Sequence, residues 1–174
     1  MIITLTGFMG CGKSSVGRRL SELLCCRFMD LDTLIEEKEG RVIPEIFSSD
    51  GEKEFRRMEK ETLESLVTDQ DEGKTLILAL GGGCVMTPEC ARLVHEKTRC
   101  IYLRASTDTL ITHLEGGTEG RPLLAAEDLR CRILELMSQR SETYEATAHI
   151  IIDTDGKDIE EVAAEISRME LSGI

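Results

Sequence analysis

Residues Gly7-Phe8-Met9-Gly10-Cys11-Gly12-Lys13-Ser14 follow directly on the apolar run Ile2 to Leu5. A helical pattern of Val16, Leu20, Leu23 and Leu24 comes next. The octet fits G-x-x-x-x-G-K-[ST] in the strand–loop–helix setting that this motif requires. Its glycines let consecutive backbone N–H groups turn inward around phosphate oxygens, where a Cβ would obstruct the approach. The helix that starts there adds unsatisfied N–H groups and a positive dipole end for the same anion. Gly10, Cys11, Gly12, Lys13, Ser14 and Ser15 are therefore the candidate nucleotide-phosphate site. Lys13 is the cation for the β- and γ-phosphates, and the Ser14 hydroxyl is the ligand for Mg²⁺.

Little else competes with that reading. The chain has 174 residues, enough for one domain with a full core. No apolar run reaches the length of a membrane span, and the opening residues lack the order of a signal peptide, so a cytoplasmic protein with no membrane partner is expected. A net charge of −12 argues against a nucleic-acid surface. Seven cysteines, with no C-x-x-C spacing and the three histidines far from any cysteine pair, argue against a zinc or disulfide framework. They read as reduced thiols, most of them small core residues.

Five strand-like segments alternate with helical ones: Ile2 to Leu5, Arg27 to Thr33, Thr75 to Leu80, Arg99 to Leu103, and His149 to Asp153. That alternation predicts an α/β fold with a parallel sheet covered by helices, in a single domain over 1–174. On the second strand, Asp30 and Asp32 stand at i and i+2, which puts both on one face at its carboxyl end. There they suit a ligand site, although Asp32 or Thr33 is equally placed to cap a helix from Leu34 to Lys38. Arg56 and Glu59 share a helix face in the segment Glu52 to Val67; a solvated ion pair is the commoner meaning of that spacing. The run Thr75 to Leu80 ends in Gly81-Gly82-Gly83, which suggests backbone approaching a ligand closely. The stretch Glu115 to Pro122 carries three glycines and Arg121, as a closing lid or a surface loop would. A further helix, Glu127 to Tyr144, places Arg140 and Tyr144 at i and i+4.

No Asn occurs anywhere, so the guanine-reading N-K-x-D motif is absent. Taken together, the Gly7–Ser14 loop, Asp30-x-Asp32, Gly51-x-x-x-Phe55-Arg56-x-x-Glu59, Gly81-Gly82-Gly83, Arg121-Pro122-Leu123-Leu124 and Arg140-x-x-x-Tyr144 resemble the shikimate kinases over nearly the whole chain. The resemblance implies strand order 2-3-1-4-5, a substrate-binding segment at about 31–60 and a mobile lid at about 115–125. It implies transfer of the ATP γ-phosphoryl group to the 3-hydroxyl of shikimate, with Mg²⁺ as cofactor and ATP, ADP and shikimate as the only partners of a monomer.

Residue roles follow from the same resemblance. Lys13, Asp32 and Arg121 are the implied catalytic residues, and Ser14 and Asp30 the implied metal ligands. Asp32, Arg56, Gly81, Gly82, Gly83 and Arg140 are implied to bind the acceptor, with Glu59 steadying Arg56. Arg121, Asp153 and Thr154 are implied nucleotide contacts beside the loop. The sequence departs from the family in one place: Ile111-Thr112-His113-Leu114 lacks the Arg that commonly lies against adenine. A gluconate or nucleotide kinase, and a binding module that has lost catalysis, are the competing readings.

Overall fold

Five parallel strands run in the order β2-β3-β1-β4-β5 in the computed structural model, which describes residues 1–69, 73–114 and 129–171. The strands are β1 (Ile2–Thr6), β2 (Arg27–Asp30), β3 (Leu76–Ala79), β4 (Arg99–Arg104) and β5 (Ile150–Asp153). β1 is central and buried along its whole length, with Leu5 in register with Ala79 of β3 and Ile101 of β4. Burial on both faces is why β1 and β3 read as unbroken apolar runs rather than alternating ones.

Period-two alternation splits the core into two layers. Ile3, Leu5, Ile77, Ile101 and Leu103 face one side. There they meet Val16 and Leu20 of α1 (Lys13–Leu23), Leu110 of α6 (Thr107–Leu114) and Val162 and Ile166 of α8 (Ile159–Leu171). Leu76, Leu78, Cys100 and Tyr102 face the other side. Their partners come from α2 (Leu31–Glu39), α3 (Ile43–Ser49), α4 (Gly51–Thr68) and α5 (Pro88–Lys97). The long α7 (Leu129–Thr147) serves both layers, giving Ile133 and Leu136 to the first and Tyr144 to the second.

Two expectations need correction. The second strand ends at Asp30, and α2 begins at Leu31, three residues earlier than the expected Leu34. Asp30 is the cap: its Oδ1 accepts the backbone amides of Asp32 at 3.1 Å and Thr33 at 3.5 Å. Satisfying those two donors, which a new helix otherwise leaves unpaired, favours helix over continued strand. Asp30 and Asp32 therefore converge across a strand-to-helix turn and not along a strand face. No disulfide joins the cysteines; Cys11, Cys84, Cys90 and Cys100 are buried, while Cys25 and Cys131 are exposed.

Candidate active site

Parallel strands bring their carboxyl ends to one edge of the sheet, and the candidate residues gather there. The loop after β1 ends at Gly12, whose φ of 92° lies in the left-handed region and whose missing side chain supplies no cap to α1. The first helical bond joins the Val16 amide to the Gly12 carbonyl at 2.8 Å. Helix geometry thus leaves the amides of Lys13, Ser14 and Ser15 without intrahelical partners, aimed into the loop. The Lys13 side chain is buried and folds back over the same space. Its ammonium donates to the carbonyls of Gly7 at 2.9 Å and Phe8 at 3.0 Å, with the Cys11 sulfur 4.0 Å away. Burial pushes the Cys11 thiol up from its ordinary value, more than the neighbouring Lys13 charge lowers it, so sulfur is present here as a neutral thiol.

Ser14 Oγ donates to Asp30 Oδ2 at 2.5 Å, tying the first turn of α1 to the end of β2. A hydroxyl and a carboxylate in contact beside a phosphate loop are the hard oxygen donors that Mg²⁺ takes. That ion binds through one or two protein oxygens and completes its shell with water and substrate phosphate, so the pair fits it. Among the described residues no group of three His, Cys, Asp or Glu side chains could hold a metal alone.

Across the loop, the Gly81–Gly83 turn after β3 forms the opposite wall. Gly82 packs against the loop itself; a Cβ there would meet the Met9 amide nitrogen at 3.2 Å. A Cβ on Gly81 would lie 2.5 Å from Glu59 Oε1 and 2.7 Å from Asp32 Oδ1. One on Gly83 would collide with the Arg56 guanidinium at 2.3–2.7 Å. The absence of side chains on this turn is therefore what lets Asp32, Glu59 and Arg56 close around it. Arg140 reaches the turn from α7: its Nη1 lies 3.4 Å from the Gly82 carbonyl, and the guanidinium stands over the Phe8 ring at 6.0 Å. The Tyr144 hydroxyl donates to the same carbonyl.

Glu59 settles the meaning of its spacing to Arg56. It is fully buried, with Oε2 2.7 Å from Arg56 Nη1, so the pair belongs to the site and is not a solvated helix contact. Burial raises its carboxyl to about 7, further than the Arg56 charge beside it can offset. Asp32 is raised to about 6, by burial first and by the Asp30 charge second, against the pull of Lys13 and Arg56. Glu59 Oε1 and Asp32 Oδ1 are both buried without a hydrogen-bond donor. Two carboxyl groups in that state, beside three cations and a phosphate loop, can orient a hydroxyl and accept its proton.

The remaining candidates are placed differently. The Asp153 carboxylate is paired with Arg104, with oxygens at 2.6 and 3.0 Å from that guanidinium. The Thr154 amide and hydroxyl both donate to the Arg104 carbonyl, at 2.9 and 3.1 Å. Both side chains are committed to β4 and do not touch the phosphate loop. In the stretch that lacks the Arg, His113 Nδ1 donates to the Gly10 carbonyl at 2.8 Å and pins the end of α6 to the loop. Arg121 and the lid at 115–125 lie outside the described residues. Glu52 carries no motif signal, yet its Oε1 lies 3.1 Å from Arg56 Nη2; the i, i+4 spacing is its only trace in the sequence.

The five-stranded order with a phosphate loop after the first strand, and an acid-and-arginine pocket facing that loop, define a P-loop kinase of small molecules. A family model for shikimate kinase matches residues 9–170. The chain is 44% identical over 165 residues to a shikimate kinase of Thermus thermophilus, covering 94% of this chain and 86% of that protein. It is 41% identical over 165 residues to one from Geobacter sulfurreducens, covering 95% and 88%. Among solved structures, shikimate kinase from Acinetobacter baumannii in complex with shikimate superposes with a TM-score of 0.92 at 33% identity, covering 99% of this chain and 93% of that one. The enzyme from Aquifex aeolicus gives 0.80 at 29% identity, covering 99% and 97%. The chain belongs to the shikimate kinase family.

Proposed function

We propose that this chain moves the γ-phosphoryl group of ATP to the 3-hydroxyl of shikimate, yielding shikimate 3-phosphate and ADP in aromatic amino-acid biosynthesis. One observation carries the reading: Arg56 and Arg140 converge on a glycine turn that packs directly against the phosphate loop. An anionic acceptor held by those guanidiniums sits beside the phosphates of a nucleotide held by the loop. Phosphoryl transfer is catalysed mainly by such positioning and by charge stabilisation.

In this reading Lys13 leaves the Gly7 and Phe8 carbonyls for the β- and γ-phosphates, and the loop amides take the remaining phosphate oxygens. Asp32 orients the attacking hydroxyl and accepts its proton; a carboxyl held near 6 is still largely ionised at neutral pH. Arg56 and Arg140 take the shikimate carboxylate, and Glu59 fixes Arg56. Arg121, by its place in the lid motif, offsets charge on the transferring group. Asp153 and Thr154 remain assigned to the nucleotide side. Ser14 and Asp30 would hold Mg²⁺, which when bound neutralises charge on the β- and γ-phosphate oxygens. A single domain acting as a monomer in the cytoplasm completes the proposal; no helix among the described residues is long and apolar enough to cross a membrane.

Coupled measurement of ADP release with shikimate, and separately with gluconate, tests it. Turnover with shikimate and identification of the 3-phosphate are expected. Preference for gluconate, or binding of ATP with turnover of neither, would overturn the reading.

A further inference from the structure

Arg56 carries two carboxylates of its own chain, and they are not equivalent. Glu59 is buried, with its side chain 1% exposed, and has nowhere to go: taking it off the guanidinium would leave an uncompensated charge in the interior. Glu52, one helical turn earlier, is 51% exposed and meets Arg56 Nη2 at 3.1 Å, a longer and looser contact than the 2.7 Å bond to Glu59. It lies in the first turn of α4, where the helix N-terminus favours a negative charge whether or not the arginine is attached. Exposed pairs of this kind bind weakly, and solvent replaces them readily. Water can therefore take over the Glu52 carboxylate at little cost, while Arg56 itself is held in place by its buried bond to Glu59 and its close approach to Gly83.

We propose that Glu52 is a stand-in for the acceptor's carboxylate: it holds one side of the Arg56 fork, and the acceptor displaces it. The inference rests on the assignment of Arg56 to the acceptor carboxylate and adds a residue that sets selectivity. A carboxylate-bearing acceptor exchanges one anion for another on the same fork, so the site keeps its charge balance. A neutral analogue gives Arg56 nothing in return for Glu52 and leaves the internal pair closed. Glu52 thus lowers affinity for every acceptor a little and penalises uncharged ones most.

The test is Glu52→Gln, which keeps the shape and removes the charge, with Glu54→Gln as control. Glu54 is two residues away and pairs with Arg57, so it reports the effect of removing one negative charge from the same helix end without touching Arg56. Glu52→Gln should tighten shikimate binding about threefold by calorimetry, the modest gain that freeing a weak exposed pair allows. The kcat and the KM for ATP should change by less than about twofold, and Glu54→Gln should leave shikimate affinity unchanged. The gain should disappear when Arg56→Met is also present. Weaker or unchanged binding in Glu52→Gln, or an equal gain in Glu54→Gln, overturns the proposal. A second arm needs no acceptor: phenylglyoxal should label Arg56 severalfold faster in Glu52→Gln than in the wild type, read by peptide mass. Equal labelling rates also overturn it. Failure of the wild type to phosphorylate shikimate would instead remove the function reading, and the labelling arm would still decide whether Glu52 covers the fork.

Discussion

The ammonium of Lys13 donates to the Gly7 carbonyl at 2.9 Å, inside the loop whose amides point at the phosphate position. In the proposed function, binding nucleotide exchanges the Gly7 and Phe8 carbonyl oxygens for phosphate oxygens. Because charge on the phosphates grows as the bond to the leaving group breaks, the interaction strengthens on the way to the transition state. Lys13→Ala should therefore lower kcat by at least about a hundredfold, the scale of losing one preorganised donor. ADP affinity should fall much less. Steady-state kinetics with ADP binding by calorimetry checks both halves.

The Arg56 guanidinium lies close against Gly83 and shares its fork with Glu59. A lysine would keep the charge but could not offer two parallel N–H groups to a carboxylate. Arg56→Lys should raise the KM for shikimate by about tenfold, or ~1.4 kcal/mol, and leave the KM for ATP nearly unchanged. A change confined to the nucleotide would contradict the placement of this arginine on the acceptor side.

Gly81 sits directly against the carboxylates of Asp32 and Glu59. The methyl of Gly81→Ala would lie 2.5 and 2.7 Å from their oxygens and would force both carboxylates off position. A displacement approaching 1 Å at a catalytic group costs on the order of a hundredfold in rate. The overpacking should also lower stability by about 1–3 kcal/mol. Urea unfolding and kinetics on one preparation check whether both losses occur.

In its proposed role Asp32 must be ionised to take a proton, and its carboxyl is held at about 6 by burial and by Asp30. The acid limb of kcat/KM, which reports the free enzyme, should fall below about pH 6. A limb near pH 4 in the wild type would show that Asp32 is far more solvated than its surroundings indicate.

Glu59 adds a stability effect of definite sign. Its carboxyl is raised in the folded state from 4.5 to about 7, so between those values the native protein binds the proton and the unfolded chain does not. Stability from this group is therefore present at low pH and lost as pH rises through that window. Urea midpoints between pH 5 and 7 should fall with pH in the wild type. Glu59→Gln should flatten that slope by an amount approaching one proton.

The sequence alone determined the parallel α/β order and the phosphate loop; the roles of the acids and arginines came from the family resemblance. Those features rest on local chemistry: glycines that admit phosphate, a period of two in the strands, and an apolar run buried on both faces. Strand order 2-3-1-4-5 came from the family resemblance, and the structure reproduces it. What spacing could not decide was which ion pair mattered. Arg56–Glu59 and Arg57–Glu54 have the same i, i+3 spacing, yet Glu59 is buried beneath a glycine turn while Glu54 faces water. The same limit applied to the helix cap, read as Asp32 or Thr33 but supplied by Asp30, which accepts two backbone amides that only the turn brings within reach. Burial and convergence are properties of elements far apart in the chain, so the raised carboxyls, the orphaned oxygens and the doubly occupied arginine appear only when β3, α4 and α7 pack together. Tertiary structure decided those, because desolvation is set by what covers a residue and not by what precedes it.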